Sequence, residues 1–181
     1  MAINFANGGT QTGPAGLVQV QQWHINGVVS SAASQSAWYD FIGGGNNYGI
    51  TLKTAGSDII LTSCLNLDVN GGSTGQFLKW QYRVGSGGSW TDFNVATSSG
   101  SRRQAHFALK TSNQHDPRHR NHRQVLETNF SAGTTLYFKL QSYLIPGANY
   151  IKLNHAQNDS DNTNNCRTTS YIFLEEFNNP T

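Results

Sequence analysis

The residues best suited to chemistry lie in one short segment, HDPRHRNHR, at residues 115–123. It contains His115, His119 and His122, which are three of the six histidines in the chain. Their His-x₃-His and His-x-x-His spacings are compatible with metal ligation, and imidazole suits zinc, nickel or iron. One histidine from each copy of an oligomer could also complete such a site. The competing interpretation is a solvated polar loop that begins at a turn around Pro117.

Three arginines lie in the same segment and two more precede it, which predicts contact with anions. Arginine pairs with carboxylates through two parallel hydrogen bonds, which lysine cannot match. We therefore expect acidic patches on a partner protein to bind here, with phosphate groups as the second choice. The arginines concerned are Arg102, Arg103, Arg118, Arg120 and Arg123.

Exposed aromatic rings could form a different kind of site by stacking on the sugars of a receptor. The candidates are Trp38, Tyr39, Trp80 and Trp90. The alternative is that these rings pack within the sheets, and for Trp80 the regular alternation of its strand favours the core.

No catalytic constellation is visible. No feature groups a serine, a histidine and an aspartate, and paired carboxylates would have to come from ten acidic residues in all. Glu175 and Glu176 are adjacent in a strand, so they point to opposite faces and cannot act as a pair. The sequence therefore predicts a protein that is not an enzyme and needs no cofactor.

Composition excludes several further classes. Of the 181 residues, 12% are charged and 11% aromatic, with a net charge of +2. Disordered polyelectrolytes and coiled coils have other compositions, and the mild charge gives no reason to expect nucleic-acid binding. No apolar run reaches the roughly 20 residues of a membrane span. The N-terminal MAINFANGG resembles no secretory signal, so synthesis in a cytoplasm is expected.

Strict alternation of apolar and polar residues predicts the elements that must position these side chains. It is clearest over residues 59–69, 76–84 and 134–144, and about eight to ten short strands follow one another between turn signals. No segment shows a helical period. We predict an all-β, antiparallel fold, either a β-sandwich or a barrel, with an N-terminal arm over 1–16 and one domain over 17–181.

The strand sequences resemble a known family. GLVQVQQ at 16–22, TLYFKLQ at 135–141, IKLN at 151–154 and SYIFLEE at 170–176 resemble the strand signatures of C1q/TNF-like jelly-roll domains. The resemblance is greatest to such domains in virion proteins of tailed phages, especially marine and cyanophage-type ones, in which an arm similar to INFANGGTQT precedes the first strand.

This resemblance implies a jelly roll, a homotrimer and a place on the virion surface, as capsid decoration, fibre or knob, assembled in the host cytoplasm. It brings no catalytic residues. The alternative role is a receptor- or glycan-binding module at a tail-fibre tip. Residues 26–120 match no part of the family pattern, which leaves the location on the virion open.

Tyrosines on the predicted strands give a separate indication of association. Tyr137, Tyr143, Tyr150 and Tyr171 lie opposite the apolar face of their strands, and amphipathic aromatic residues are enriched at interfaces. The alternative is that the strands are covered on both faces within one monomer.

The two cysteines, Cys64 and Cys166, form no metal or redox motif. Cys64 is expected to be a buried, small apolar residue inside a strand. A disulfide between the two is left open, although a reducing site of synthesis does not favour it.

Overall fold

The computed structural model describes residues 16–31, 37–70, 75–110, 116–146, 150–155 and 168–178. These ranges contain twelve β-strands and no helix. The strands are β1 (Gly16–Ile25), β2 (Val29–Ser30), β3 (Tyr39–Ile42), β4 (Tyr48–Thr51), β5 (Asp58–Asn70), β6 (Gly75–Val84), β7 (Thr91–Asp92), β8 (Phe107–Lys110), β9 (Asp116–Leu126), β10 (Thr135–Leu144), β11 (Tyr150–Leu153) and β12 (Ser170–Asn178). The predicted arm falls outside the described residues, except for Gly16.

The strands form two antiparallel sheets of six strands each. Several short strands are halves of one interrupted strand: β1 and β2 run along β12 and β11, while β3 and β4 both pair with the same side of β10. In the same way, β7 and β8 both pair with β6, and β11 and β12 both pair with β5.

Counting each interrupted strand once leaves eight strands in jelly-roll order. The first sheet reads 1-8-3-6 (β1/β2, β11/β12, β5, β9), and the second reads 2-7-4-5 (β3/β4, β10, β6, β7/β8). A double Greek key of eight strands in two sheets defines the jelly roll. The predicted all-β sandwich is confirmed.

The core lies between the sheets and is built from the alternating faces that the sequence predicts. From β5, β6 and β10 it receives the buried side chains Ile59, Leu61, Leu65, Leu67, Val69, Leu78, Trp80, Leu136, Phe138, Leu140 and Leu144. Trp80 is fully buried, so its predicted core position is confirmed.

One element differs from the prediction. The His/Arg-rich segment, interpreted as a polar loop up to residue 123, is a strand from residue 116, because β9 pairs with β5 over its whole length. Two features hid it: the charged residues break the apolar alternation, and Pro117 cannot donate a ladder hydrogen bond. Both features are tolerated at the edge of a sheet, which is where β9 lies.

Side chains close the sandwich along both edges. On one side Gln19 Nε2 donates to the carbonyl of Thr51 at 2.6 Å, and the rings of Trp23 and Tyr48 meet edge to face. On the other side Gln124 Nε2 donates to the carbonyl of Asn94 at 2.8 Å. Each edge strand of the first sheet is therefore tied to the chain of the second.

A buried carboxylate anchors the loop that follows β4. Glu176 is fully buried, and it accepts hydrogen bonds from the backbone N–H groups of Lys53 and Thr54, both at 2.9 Å, and from Gln19 Nε2 at 2.6 Å. Its neighbour Glu175 faces the other side of the sheet, as strand geometry requires. Glu176 thus serves the fold.

Replacing Glu176 with alanine should lower the free energy of unfolding by about 2–4 kcal/mol, since buried backbone donors lose their acceptor. Urea unfolding followed by fluorescence measures this loss. The control is Glu127→Ala, at an exposed position, where a change within about 0.5 kcal/mol is expected. Equal losses in the two variants would contradict the anchoring role.

Candidate functional site

The outer face of the second sheet contains two lysine side chains that are largely shielded from solvent. β6 and β10 alternate their side chains, so that Lys79 and Lys139 point away from the core. Their side chains are only 10% and 6% exposed. Burying a charge is unfavourable unless the charge is paired, so these two lysines require specific partners.

Each lysine has one carboxylate and one indole ring as partners. Lys79 Nζ lies 2.7 Å from Asp92 Oδ1 and 4.6 Å from the ring centroid of Trp38. Lys139 Nζ lies 2.7 Å from Asp40 Oδ1. It also lies 4.4 Å from the ring centroid of Trp90. Cation–π contact strengthens when the cation is desolvated, as both are here.

These contacts repeat about a local pseudo-twofold axis. Lys79-x-Gln81 on β6 pairs in register with Lys139-x-Gln141 on β10, so that each lysine is opposite a glutamine. A Trp-x-Asp segment lies on each flank, one at β3 and one at β7. We call the whole group the lysine cage; it consists of Trp38, Asp40, Lys79, Gln81, Trp90, Asp92, Lys139 and Gln141.

The electrostatics of the cage favour ionised carboxylates. Partial burial opposes ionisation of Asp40 and Asp92, but hydrogen bonds from lysine and glutamine, together with the positive charges, outweigh it and hold both pKa values below the ordinary 3.8. The stabilisation they give is therefore complete above about pH 4 and is lost as the pH falls through the lowered pKa values.

Two of the predicted interface tyrosines extend this covered face. The ring of Tyr137 lies over Gly49, where a Cβ would come within 2.7 Å of it, and Arg83 stacks on Trp90 nearby. Tyr143 is 6% exposed. Its ring contacts Trp38 on one side and the guanidinium of Arg103, 4.0 Å from its centroid, on another. Both rings therefore contact side chains or backbone of their own chain, and their place at a trimer interface stays a prediction.

Tyr150 belongs to a buried polar cluster on the first sheet. Its hydroxyl lies 3.3 Å from Asp68 Oδ2, which also accepts from His155 Nδ1 at 2.9 Å. The other ring nitrogen of His155 lies 3.1 Å from Lys152 Nζ. An aspartate and a histidine paired in this way resemble two members of a catalytic triad, but in the described chain Lys152 stands where a nucleophilic hydroxyl or thiol would be.

The outer face of the first sheet is covered differently. Three rows run across β1, β12, β5 and β9, with one residue from each strand. We call them the open face; the rows are Val20–Glu175–Ile60–Val125, Gln22–Phe173–Thr62–Arg123 and His24–Tyr171–Cys64–Asn121. Val20 is 44% and Val125 is 39% exposed. Tyr171, the fourth predicted interface tyrosine, lies in the third row.

The predicted arginines do not form one patch. Arg102 and Arg103 precede β8 beside the second sheet, and Arg123 lies in the open face. Arg120 pairs with Leu65, on the side that faces the core. The side chain of Arg118 lies outside the described part of the molecule. Anion binding by these residues stays a prediction.

The two predicted metal ligands that the structure describes are also separated. His119 and His122 are three positions apart in a strand and therefore point to opposite faces: His119 contacts Asn66, and His122 contacts Gln124. His115 lies outside the described residues. Within the described ranges, no group of three or more His, Cys, Asp or Glu side chains is placed to hold a metal. A metal shared between copies through His119 stays a prediction.

His122 instead packs against another histidine between the two sheets. His106 fills the gap where the strand beside β6 is interrupted: its Nδ1 accepts from the Trp80 N–H at 2.9 Å, and its Nε2 donates to the Phe93 carbonyl at 2.6 Å. The ring centroids of His106 and His122 lie 4.7 Å apart. Burial lowers the pKa of both, that of His122 to about 4, with the positive potential of His106 contributing.

Sequence reasoning missed the cage, although a signal was present. Trp-x-Asp occurs at 38–40 and 90–92, and Lys-x-Gln occurs at 79–81 and 139–141. Each triplet places its first and third residues on one face of a strand. The pairing of the four triplets depends on strand order, which no short motif encodes. Nothing in the sequence near His106 marks its role.

Cys64 is half-buried on the open face rather than in the core, and Cys166 lies outside the described residues, as does any bond between them. No helix in the described ranges is long and apolar enough to cross a membrane.

With the fold and its two faces described, the class of protein is a jelly-roll β-sandwich. No protein-family model matches the sequence, and no curated protein matches it. Among solved structures, a chain in the structure of infectious bursal disease virus, Gx strain, is similar over 88% of this chain, with 10% identity and a TM-score of 0.37. This chain covers 38% of the viral chain's length.

Replacing Asp92 with asparagine should lower the free energy of unfolding by about 1–3 kcal/mol, because it leaves a nearly buried ammonium without its counter-charge. The pseudo-twofold arrangement predicts a similar loss for Asp40→Asn. In urea unfolding, combining Asp92→Asn with Lys79→Met should recover part of the loss. Full additivity of the two changes would contradict a direct pair.

The free energy of unfolding should decrease as the pH drops from about 6.5 to about 4. In this range His122 is protonated in the unfolded chain but stays neutral in the folded one, where its pKa is about 4. Thermal unfolding across this range measures the effect. His122→Gln should make the fall smaller and leave the part that comes from the lowered pKa of His106, whereas the control His119→Gln, on the exposed side of β9, should retain the whole fall. A curve unchanged by His122→Gln would contradict this assignment.

Proposed function

We propose that this chain is a non-enzymatic structural protein of a tailed-phage virion that assembles as a homotrimer on the particle surface, as capsid decoration or as a fibre or knob. It acts mechanically: copies bind one another and a neighbouring capsid or tail subunit, and the arm over residues 1–16 provides a further attachment.

The observation that carries the proposal is the unequal covering of the two outer faces. The lysine cage and its flanking rings cover the centre of the second sheet's outer face with side chains of the same chain. The open face of the first sheet leaves Val20 and Val125 more than a third exposed. Aromatic residues are enriched at association surfaces, and Phe173 and Tyr171 both lie on this face.

Two further features support the proposal. The strand signatures at both ends of the chain resemble those of phage virion proteins, and the strand order is that of a jelly roll, a fold used by viral capsid domains. Among the described polar clusters, that of Asp68, His155 and Lys152 comes nearest to catalytic chemistry, and its ring nitrogens are both engaged. The contacts of this cluster are therefore better explained by a structural role than by a catalytic one.

Glycan binding at a fibre tip is the second candidate, and one observation favours it. Trp38 and Trp90 lie on the same face of the molecule, where their rings could offer stacking surfaces. Each ring already contacts a lysine of the same chain, so both rings have a structural role without any glycan. Binding to a glycan array that is lost in a folded Trp90→Ala variant would favour this second function over the first.

The purified chain should have three times its 19.8 kDa mass in solution. Multi-angle light scattering at micromolar concentration measures this, and antibodies against the chain should label the surface of intact particles in electron microscopy. A stable monomer, or labelling only of disrupted particles, would contradict the proposal.

A further inference from the structure

We infer that the outer edge of β9 binds an extended, acidic segment of another protein, which adds to the first sheet as a further strand. This inference rests on the part of the proposed function in which the chain binds a neighbouring protein, and it specifies where that protein binds and by what chemistry. Three features carry it: the direction of the backbone groups of β9, the regularity of this edge and its charge.

β9 is an edge strand whose free side can be located from its neighbour β5. Successive residues of an antiparallel strand direct their backbone N–H and C=O groups alternately to one side and to the other. On β5, the Asn66 N–H donates to Ser170 Oγ at 3.0 Å, and the Asn66 carbonyl accepts from the Asn154 N–H at 2.8 Å. Ser170 begins β12 and Asn154 follows β11. The backbone groups of Asn66 therefore point toward those strands and away from β9.

The register of the two strands transfers this direction to β9. His119 pairs with Asn66, so its backbone groups point away from β5, and the same holds for every second residue along the strand. Val125 has the same parity, and its carbonyl accepts from Asn94 Nδ2 at 3.1 Å on the outer side, as this assignment requires.

Three residues between the ends of β9 have outward backbone groups that are free to bind a strand. The described residues place no hydrogen-bond partner on these groups, and the side chains at these positions are exposed to solvent. The three residues are His119, Asn121 and Arg123. Together they offer about six backbone hydrogen bonds, which a strand of about five residues would form. Pro117 has the same parity, so the N–H that proline lacks would have faced solvent.

The described edge strands other than β9 are short or interrupted. β2, β3, β4, β7 and β8 have two to four residues each. β1 has ten residues, but a shift in register lies between Leu17 and Gln19. β9 pairs with β5 over eleven residues without a shift. Short and bulged strands resist the addition of another strand, so β9 is the edge that suits it.

Positive charge on β9 identifies the partner as acidic. Residues 118–126 include three arginines and no acidic residue. Arg123, whose side chain is exposed, lies next to the position that an added strand would occupy, and opposite charges on directly paired residues stabilise a pair of strands. The same charges disfavour a second copy of β9, because two basic edges repel each other. A strand with alternating acidic residues is therefore the occupant that fits.

Two matched fluorescent peptides test the added strand and its charge. In the first peptide glutamate alternates with valine and threonine, and in the second lysine replaces each glutamate. Fluorescence anisotropy with the full wild-type chain should show at least about tenfold tighter binding of the acidic peptide. Hydrogen exchange followed by NMR should show that the acidic peptide slows the exchange of the backbone amides of His119, Asn121 and Arg123.

A proline on the outward side of β9 tests the backbone contact. Asn121→Pro removes one outward N–H and leaves the hydrogen bonds to β5 in place, so the variant should fold, which circular dichroism checks. We expect its affinity for the acidic peptide to fall about tenfold or more, because the added strand loses a donor and meets the proline ring.

A charge reversal tests the acidic character of the partner without changing the backbone. Arg123→Glu should lower the affinity for the acidic peptide about fivefold or more, because it places like charges on paired residues. The control Lys53→Glu makes the same change of charge at an exposed position that follows β4. This control should leave the affinity unchanged.

The outcomes separate this inference from the proposed self-association. Equal affinity for the two peptides, or acidic-peptide binding that neither Asn121→Pro nor Arg123→Glu weakens, would overturn the inference. A trimer that binds no acidic peptide would also overturn it, while leaving the proposed self-association intact. A monomer that binds the acidic peptide at β9 would support the inference and contradict the self-association instead.

Discussion

Two buried ammonium groups impose the strongest constraint on this molecule. Lys79 and Lys139 lie on the outside of a sheet, yet little of either side chain is accessible to solvent. A desolvated charge has to be paired, and the chain meets this need twice in the same way, with one carboxylate and one indole ring per lysine. The consequence reaches beyond the cage, since the outer face of the second sheet is covered by the chain itself.

The asymmetry between the faces explains how the predicted interface residues divide. Tyr137 and Tyr143 belong to the covered face, Tyr150 to a polar cluster with Asp68, and Tyr171 to the open face. Tyrosines that share a position opposite the apolar side of their strands therefore play different roles. The sheet on which a strand lies therefore decides which neighbours its tyrosine contacts.

Much of the fold could be predicted from alternation alone. The strands that alternate most regularly supply the core, and Trp80 is buried where its strand places it. The prediction was wrong at β9, because an edge strand can contain charges and Pro117 where a central strand could not. The cage and the contacts of His106 could not be predicted from the sequence. Both bring together residues that are far apart in the chain, and the order of the strands decides which residues meet. Local patterns determine which face a residue occupies, but not which residues meet there.

Radical footprinting of side chains at rising protein concentration tests the central claim most directly. The proposed association between copies is expected on the first sheet, because the outer face of the second already carries the lysine cage. We predict that labelling of Phe173 and Tyr171 decreases as the concentration rises, while labelling of Trp38 and Trp90 stays constant. Protection of the two tryptophans with no change at Phe173 would contradict the account.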